Sequence, residues 1–374
     1  MTSMKRARLH QIDSRIGQSR VAGFTILLFL TLIILALTTF LASEVSVNKR
    51  KLAVELNSVQ RVSMAQEALL GYALSQTVPG TLPCPDTTGD GLENAAGLQC
   101  ASQLGLLPLE TLGLPPLTDG TGAALWYAVE LNYVANAIGA KNSSRASALN
   151  VDGNPVAFIV IAAGRALDGQ ARRVLVQSDF LEGVNADTNL MNFSSLVSAT
   201  QNDQVNGLST GAFWSLIETR VLASAKLLLH DYRDACGEYP WAAPFGGPYV
   251  SASNQQGGSL PFTAALPFDW GTVCAAGITP TPPNWLQAHW QDQLYYRMCT
   301  SGQGNCLAVS GAASPATAVL LAPGITLAGQ LRPNLNPAAY FEAANSNPPD
   351  TQFQTVKSIN HSVNYNDVTQ SVNP

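Results

Sequence analysis

The longest apolar pattern in the chain lies near its N-terminus. Residues 23–43 read GFTILLFLTLIILALTTFLAS and contain no charged side chain. As an α-helix, with a rise of about 1.5 Å per residue, this run has the length needed to cross the roughly 30 Å hydrocarbon core of a bilayer. The pattern therefore predicts a transmembrane helix over residues 24–43.

Apolar residues continue at helical spacing beyond this run. From Glu44 to Leu70 the sequence contains neither Gly nor Pro, and apolar side chains recur at steps of three and four residues, as at Leu52, Leu56 and Val59. We therefore expect the helix to continue to about residue 75, with its second half packed on an exported domain.

Charge is distributed unevenly around the apolar run. Five of the six charged side chains before residue 21 are basic, which predicts a cytoplasmic leader over residues 1–23 and export of everything after Glu44. The remainder holds 15 basic and 24 acidic residues, a net charge of −9. Such an acidic part argues against a nucleic acid partner.

The exported part contains an internal repeat. Residues 155–170 align without gaps with residues 315–330, and Pro, Ala, Gly, Leu, Gly and Gln coincide. Residues 180–185 align at the same offset with residues 340–345. The matching blocks keep their order along the chain, which indicates a duplication. We expect one module at residues 44–207 and a second at 208–374.

Each module is predicted to contain one helix and a small sheet. The helices are expected over residues 46–75 and 214–234, each followed by an irregular stretch rich in Pro and Gly. Strands are predicted over residues 125–133, 156–163 and 174–177 of the first module and over residues 316–321 of the second.

The junction between the leader and the apolar run resembles a known processing site. Residues 22–27, AGFTIL, are similar to the prepilin-peptidase site of type IV pilins and type II secretion pseudopilins. The resemblance implies cleavage between Gly23 and Phe24, methylation of the new N-terminus, and a single-pass location in the bacterial inner membrane with a periplasmic bulk. The fifth mature position, Glu in nearly all such proteins, is Leu28 here.

Three interpretations of this junction follow. The large minor pseudopilin at a filament tip also lacks the Glu, and this chain resembles it. A pilin relative that stays uncleaved in the membrane is the second interpretation. The third is a plain signal anchor with an accidental match, because short motifs recur by chance.

Two further stretches carry a resemblance. Residues 163–170, together with Asn185, Asp187 and Asn192, are similar to the C-terminal part of major pseudopilins. Residues 82–91, with residues 105–115, are similar to a group of large bacterial prepilin-like proteins of unknown role. The fold class expected from pattern and resemblance together is α+β, with a long N-terminal transmembrane helix followed by two tandem pilin-like modules.

The resemblance implies a structural function. The chain is expected to be a minor pilin or pseudopilin-like subunit, anchored in the inner membrane and assembling at or near the tip of a type IV pilus or type II secretion pseudopilus. Its implied partners are other such subunits through the N-terminal helix, the prepilin peptidase, the assembly platform and the lipid bilayer. The alternative is a membrane-tethered periplasmic binding protein outside any filament. An enzyme is not expected, and no catalytic residue is nominated.

All six cysteines follow the apolar run, in a compartment that we expect to be oxidising. Six cysteines allow fifteen pairings, but the repeat suggests one bridge in each module and a third that closes a short loop. A zinc site would need paired close spacings, which are absent. The suggested bridges are Cys84–Cys100, Cys236–Cys274 and Cys299–Cys306.

A calcium ion is the one cofactor that the sequence suggests. Residues 86–91, DTTGDG, fit the start of a calcium loop, in which oxygen ligands alternate and Gly permits the turn. The twelfth position is Gly97, so no bidentate Glu completes the shell. The other interpretation is an Asp/Gly turn held by its own hydrogen bonds. The candidate ligands are Asp86, Thr88, Asp90 and Leu92, with Asp187 as an alternative site.

Overall fold

The structure, a computed structural model, describes residues 7–97, 99–135, 137–172, 174–187, 191–262, 281–300, 304–346, 351–354 and 365–373. It divides into two compact units, residues 1–57 and residues 58–374. The described residues of the first unit form the N-terminal part of one helix. The second contains both copies of the repeat.

Helix α1 runs from Ala7 to Ser75, so it begins within the predicted leader and passes through the whole apolar run. The predicted membrane span over residues 24–43 needs correction. In the part of the chain that the structure describes, no helix is long and apolar enough to cross a membrane.

The second unit contains the remaining elements of the fold. Two further helices are α2 (Thr210–Cys236) and α3 (Asn284–Trp290). Short 3-10 helices lie at Leu131–Tyr133, Gln177–Asp179, Gly183–Ala186, Pro337–Ala339 and Ala343–Ser346. The strands are β1 (Ala95–Ala96), β2 (Gln99–Cys100), β3 (Leu104–Leu106), β4 (Trp126–Val129), β5 (Asn150–Val151), β6 (Asn154–Ala162), β7 (Asn192–Phe193), β8 (Gln204–Ser209), β9 (Gly257–Ser259), β10 (Tyr295–Met298), β11 (Ala308–Val309), β12 (Ala318–Ala322), β13 (Gln352–Phe353) and β14 (Val368–Val372).

Most of the strands form two similar sheets, one in each copy of the repeat, and β1–β2 and β11–β13 form two separate two-stranded sheets. The first has the order β3-β4-β6-β5-β7, with β8 also paired to β6, and the second has the order β14-β12-β10-β9. Tyr127 of β4 lies opposite Val160 of β6, and Tyr296 of β10 lies opposite Leu320 of β12. The registers therefore agree with the sequence repeat.

Helix α2 has clear local signals at both ends. Ser209 precedes it, and its hydroxyl accepts the backbone N–H of Ala212 at 3.3 Å. Gly237 ends it with a φ of 81°, a left-handed conformation that a residue without Cβ adopts at little cost. Between these ends, apolar residues three and four positions apart, such as Phe213, Ile217 and Val221, are buried.

The two repeats do not form separate modules, because they share one core. Helix α2 contacts β6 and β8 of the first sheet and β12 and β14 of the second. The buried cluster around it joins Leu69 and Phe158 of the first repeat to Leu222 and Leu320 of the second. The predicted tandem arrangement is therefore corrected to a single mixed α and β unit.

The strand predicted over residues 174–177 is also wrong. Its valines are exposed, and a 3-10 helix begins at Gln177. The strand that pairs with β6 instead is β8, which is matched by β14 in the second repeat. Pairing across the chain, rather than local apolar content, decides which segment joins the sheet.

Candidate functional site

Two motif segments of the first repeat, residues 82–91 and 105–115, fold against each other. Asp86 and Leu106 each donate a backbone N–H to the other's carbonyl, at 2.9 and 2.7 Å. The N–H groups of Glu110 and Thr111 both donate to the carbonyl of Gly91, at 2.9 and 3.3 Å. These bonds fix the two segments as the walls of one depression.

The depression is a cavity of about 250 Å³. Its carboxyl groups belong to Asp86, Asp90 and Glu110, and Asp90 and Glu110 are exposed. An apolar cavity with carboxylates at its edge suits a ligand that carries a positive charge on an aliphatic body. The apolar lining consists of Leu106, Leu107, Leu109, Leu114, Pro116, Leu117 and Leu125.

The predicted calcium ligands lie beside this cavity, but their oxygens bind the loop itself. Asp86 is 1% exposed, and its Oδ1 accepts the N–H groups of Thr88 and Gly89 at 2.9 and 2.7 Å. Its Oδ2 accepts the N–H of Gly91 at 2.7 Å. Asp90 accepts the N–H of Leu92 at 2.9 Å. The loop is therefore an Asp/Gly turn held by its own hydrogen bonds.

No cluster of metal-binding side chains among the described residues supports the calcium candidates. Across the described ranges, no group of three or more His, Cys, Asp or Glu side chains is placed to hold a metal ion. The alternative candidate, Asp187, is exposed at the end of the 3-10 helix Gly183–Ala186, where its carbonyl accepts a bond from Gln177. Calcium binding stays a prediction that no contact here supports.

Disulfide bonds are confirmed at two of the three suggested positions. Cys84 is bonded to Cys100, and Cys299 is bonded to Cys306. Cys236 is also disulfide-bonded, but its suggested partner Cys274 lies outside the described residues. The first bridge joins the segment that begins the cavity wall to β2.

A polar cluster, which we call the first clasp, lies under the loop of residues 164–187. It consists of Gln170, Arg172, Glu182, Asn185 and Asp203. The amide of Gln170 donates to Glu182 Oε1 at 2.7 Å, and the backbone N–H of Glu182 donates to Asp203 Oδ2 at 2.9 Å. Asn185 donates to the same Oδ2 at 3.1 Å.

The second repeat contains the same arrangement, the second clasp, formed by Gln330, Arg332, Glu342, Asn345 and Asp367. Gln330 donates to Glu342 Oε1 at 2.6 Å, Glu342 donates its N–H to Asp367 Oδ2 at 2.9 Å, and Asn345 donates to that oxygen at 3.0 Å. Each clasp therefore joins the loop after the central strand to the residue just before the last strand.

Burial changes the acidity of the clasp carboxyl groups. It raises the pKa of Asp203 to about 7, and the nearby charge of Glu182 adds to the rise. Burial also holds the pKa of Asp367 well above its usual range, with Glu342 acting in the same direction. Both aspartates are fully buried.

Glu218 is a further buried carboxyl group with a raised pKa, and the aligned position of the first repeat is Ser58. It lies on α2, and both of its oxygens accept the N–H of Gly324, at 3.0 and 3.1 Å. Burial raises the pKa of Glu218 to about 7, although the positive charge of Arg332 offsets part of this effect. At the aligned position of the first repeat, Ser58 instead accepts the N–H of Gly120 at 2.9 Å.

The large side chains of the N-terminal apolar segment are exposed. Gly23 and Phe24, the predicted processing residues, lie inside α1. The large apolar side chains that follow are each between 42% and 67% exposed. They are Leu27, Leu28, Phe29, Leu30, Leu32, Ile33, Ile34, Leu35, Leu37 and Phe40.

One sequence motif was missed, and the structure explains it without catalysis. Residues 207–211, GLSTG, have the Gly-x-Ser-x-Gly spacing of a hydrolase nucleophile between a strand and a helix. Ser209, however, caps α2 with ordinary extended backbone, at a φ of −58° and a ψ of 145°. His230 follows 21 residues later on the same helix, about 31 Å further along its axis. Ser209 is therefore a helix cap.

The clasp residues were also missed as a site, although the signal was present. Gln, Glu, Asn and Asp recur at the same places in both repeats. Polar residues that are the same in both copies of a duplication indicate that the two copies contain the same hydrogen-bond network.

Comparison of the chain with protein-family models, with curated proteins and with solved structures finds no match.

Proposed function

We propose that this protein is a pilin-like or pseudopilin-like structural subunit, which assembles with other subunits through the apolar segment of α1. The observation that carries the proposal is the exposure of ten large apolar side chains between Leu27 and Phe40. Contiguous apolar surface of this kind marks an interaction site on a folded protein. The neighbouring subunits would cover it with equivalent helices.

The head supports an interaction function rather than catalysis. Two copies of one small sheet are joined in one core, and two disulfides close irregular segments. Disulfides of this kind are typical of exported proteins. In each repeat a helix precedes a small sheet, α1 in the first and α2 in the second, and this order supports the proposal.

Crosslinking of the full chain tests the assembly. An Ile34→Cys variant, changed at a position that is 54% exposed, is expected to form intermolecular disulfides on mild oxidation. A Leu227→Cys variant, changed at an exposed position on α2, is the matched control and is expected to stay monomeric. Equal crosslinking of the two variants, or none, would remove the basis for helix-mediated assembly.

Processing provides a second measurement. We expect a prepilin peptidase co-expressed with the full chain to remove residues 1–23 and leave Phe24 as the N-terminus. A Gly23→Val variant is expected to keep its full mass. An unchanged wild-type mass would place the protein outside the processed filament pathway, even if its helices crosslink.

The cavity of the first repeat favours a second candidate function, a binding module that recognises a cationic group on an aliphatic chain. Its leucine-rich lining and the exposed carboxylates of Asp90 and Glu110 support this candidate. Hexylammonium is expected to shift the NMR signals of the lining leucine methyl groups more than hexanoate does. An Asp90→Asn, Glu110→Gln double variant is expected to lose that preference, and identical shifts from both probes would contradict it.

A further inference from the structure

Two carboxyl groups are held against each other inside each repeat. In the first clasp, Glu182 donates its backbone N–H to Asp203, and Asn202 donates its backbone N–H back to Glu182 Oε2 at 2.9 Å. In the second, Asn366 donates in the same way to Glu342 Oε2 at 3.0 Å. The mutual bonds keep the side chains of the glutamate and the aspartate together.

One oxygen of each aspartate is buried without a hydrogen-bond donor. Asp203 Oδ1 and Asp367 Oδ1 have no partner among the described residues. A buried ionised oxygen without a donor costs much more free energy than a paired one. Two ionised carboxylates side by side would add their mutual repulsion to that cost.

The neighbouring guanidinium groups direct their hydrogen bonds to backbone carbonyls rather than to these pairs. Arg172 donates to the carbonyls of Gly164 and Ala163, at 2.7 and 3.1 Å. Arg332 donates to the carbonyls of Gly324 and Pro323, at 2.8 and 3.2 Å. Both cations bind the backbone at the start of the loop, rather than the carboxyl pair.

We propose that each clasp holds one proton shared between its two carboxyl groups, Glu182 with Asp203 and Glu342 with Asp367, and that this proton locks the loop to the last strand. The proton supplies the donor that the unpartnered oxygen lacks and leaves one negative charge in each pair. When the pair loses it to solvent, two negative charges remain in a buried space. The loops of residues 164–187 and 324–346 then separate from β8 and β14.

The charged groups around each pair determine the pH at which the pair loses its shared proton. Around the first pair these groups are Arg172 and the two carboxyls themselves. The second pair also faces Glu218, Arg332 and Tyr365, whose hydroxyl accepts a bond from Asn345 at 2.9 Å. Because the second aspartate has more acidic neighbours, its pair is expected to keep the proton to higher pH.

The sign of the pH dependence follows from linkage. A carboxyl group whose pKa is higher in the folded state stabilises the fold fully below its unfolded pKa, and this stabilisation is lost as pH rises through the folded pKa. The free energy of unfolding is therefore expected to fall from about pH 5 to about pH 8. Unfolding in this range releases the shared protons.

Urea unfolding of the full chain at several pH values tests the proposal. The slope of unfolding free energy against pH gives the number of protons released on unfolding. Relative to wild type, Asp203→Asn and Asp367→Asn are each expected to release about one proton fewer, and the double variant about two fewer, near pH 6. Asn replaces the shared proton with its own amide donor, so each variant is expected to fold.

A control and a direct measurement accompany the slopes. Asp168→Asn makes the same chemical change at an exposed position of the same loop and is expected to keep the wild-type slope. Infrared difference spectra of wild-type protein are expected to show the carbonyl band of a protonated carboxylic acid at pH 7, and each clasp variant is expected to lose part of that band. This reading does not depend on the stability of any variant.

Two outcomes would overturn the proposal. Wild-type slopes in both clasp variants, together with a protonated carboxyl band at pH 7 that neither variant reduces, would mean that the clasp carboxyls are not protonated. A rise in the unfolding midpoint of wild type on addition of Ca²⁺, absent from Asp203→Asn, would mean that a cation rather than a proton joins the pair.

Discussion

In the first repeat the N–H of Gly164 donates to Asp119, which lies on a surface loop, at 3.0 Å. In the second repeat the equivalent Gly324 donates to Glu218, which lies on a helix in the shared core. Both glycines have nearly the same φ, 63° and 64°. In both repeats the glycine N–H therefore donates to a carboxylate, but the carboxylate lies on a loop in the first repeat and on a helix in the second.

This difference shows how the repeats became dependent on each other. The first repeat can satisfy its glycine with a residue of its own loop. The second satisfies it with α2, whose N-terminal part also packs on the first sheet. A carboxyl group that serves one repeat thus lies on the element that joins both, and changes to α2 are expected to affect the two repeats together.

The largest effect is expected where the repeats meet, at Trp214. This side chain is fully buried, with its ring centre 5.1 Å from that of Tyr133 and 6.0 Å from that of Trp290. Trp214→Ala is expected to lower the free energy of unfolding by about 3–5 kcal/mol, because it leaves a large cavity. Urea unfolding followed by circular dichroism measures the change.

The shape of that transition also tests the shared core. One cooperative transition is expected to move as a whole, whereas independent domains would give two transitions of which only one moves. Leu227→Ala, on the exposed face of the same helix, is expected to change stability by less than about 0.5 kcal/mol. A comparable loss in this control would assign the effect to helix propensity.

The repeat and its strands were accessible from sequence because they depend on local patterns. The expected strand 156–163 is β6 within two residues, and the expected helix 214–234 lies inside α2. Strand β8 was missed because Gln204, Asn206 and Gly207 give it no apolar alternation, and only its pairing with β6 makes it a strand. Its position depends on contacts that are distant in sequence.

The shared core and the clasps could not be predicted for a related reason. Aligned sequence blocks identified the two copies. No local sequence pattern, however, predicts that Phe213 packs on Phe158 of the other copy, with ring centres 6.4 Å apart. The blocks containing Glu182 and Glu342 were aligned without a role, because their buried partners follow about 20 residues later. Burial of these carboxyls is a property of the tertiary structure.

The two disulfides offer the next test of the comparison, because they occupy different places in the two repeats. Cys84–Cys100 closes a separation of 16 residues, and Cys299–Cys306 closes one of 7. In the chain-entropy description, removal of the first by paired Cys→Ser changes costs about 3 kcal/mol and removal of the second about 2 kcal/mol. Thermal unfolding of the two variants measures the order, and a reversed order would show that native contacts outweigh loop closure.

The two glycine acceptors are expected to respond differently to the loss of charge. Glu218→Gln keeps an oxygen for Gly324 and removes a carboxyl whose folded pKa is about 7. Ionisation of Glu218 is expected to lower the free energy of unfolding of wild type by up to about 3 kcal/mol between about pH 4.5 and pH 8. The variant is expected to lack this contribution to the decrease. Denaturant midpoints across this range give the measurement.

Asp119→Asn provides the matched change in the first repeat. The oxygens of Asp119 accept N–H groups from Thr121, Ala123 and Gly164, at 2.8, 2.9 and 3.0 Å. An amide can replace only one of these oxygens as an acceptor, so a loss of about 1–2 kcal/mol is expected. Stabilisation of both variants at pH 8 would contradict the proposed difference between the acceptors.

The smallest effect is expected in the Asp/Gly turn of residues 86–91, a sequence that the second repeat lacks. Asp90 is exposed, and its described bond is to the N–H of Leu92 within the turn. Asp90→Asn retains an oxygen acceptor and is expected to cost less than about 0.5 kcal/mol, as surface substitutions usually do. Thermal midpoints of wild type and variant, each measured with added Ca²⁺ and with a chelator, are expected to coincide within each protein. A midpoint that rises with Ca²⁺ in wild type alone would instead identify the turn as an ion site. The first repeat would then have a binding function that the second repeat, without the Asp-Gly sequence, does not share.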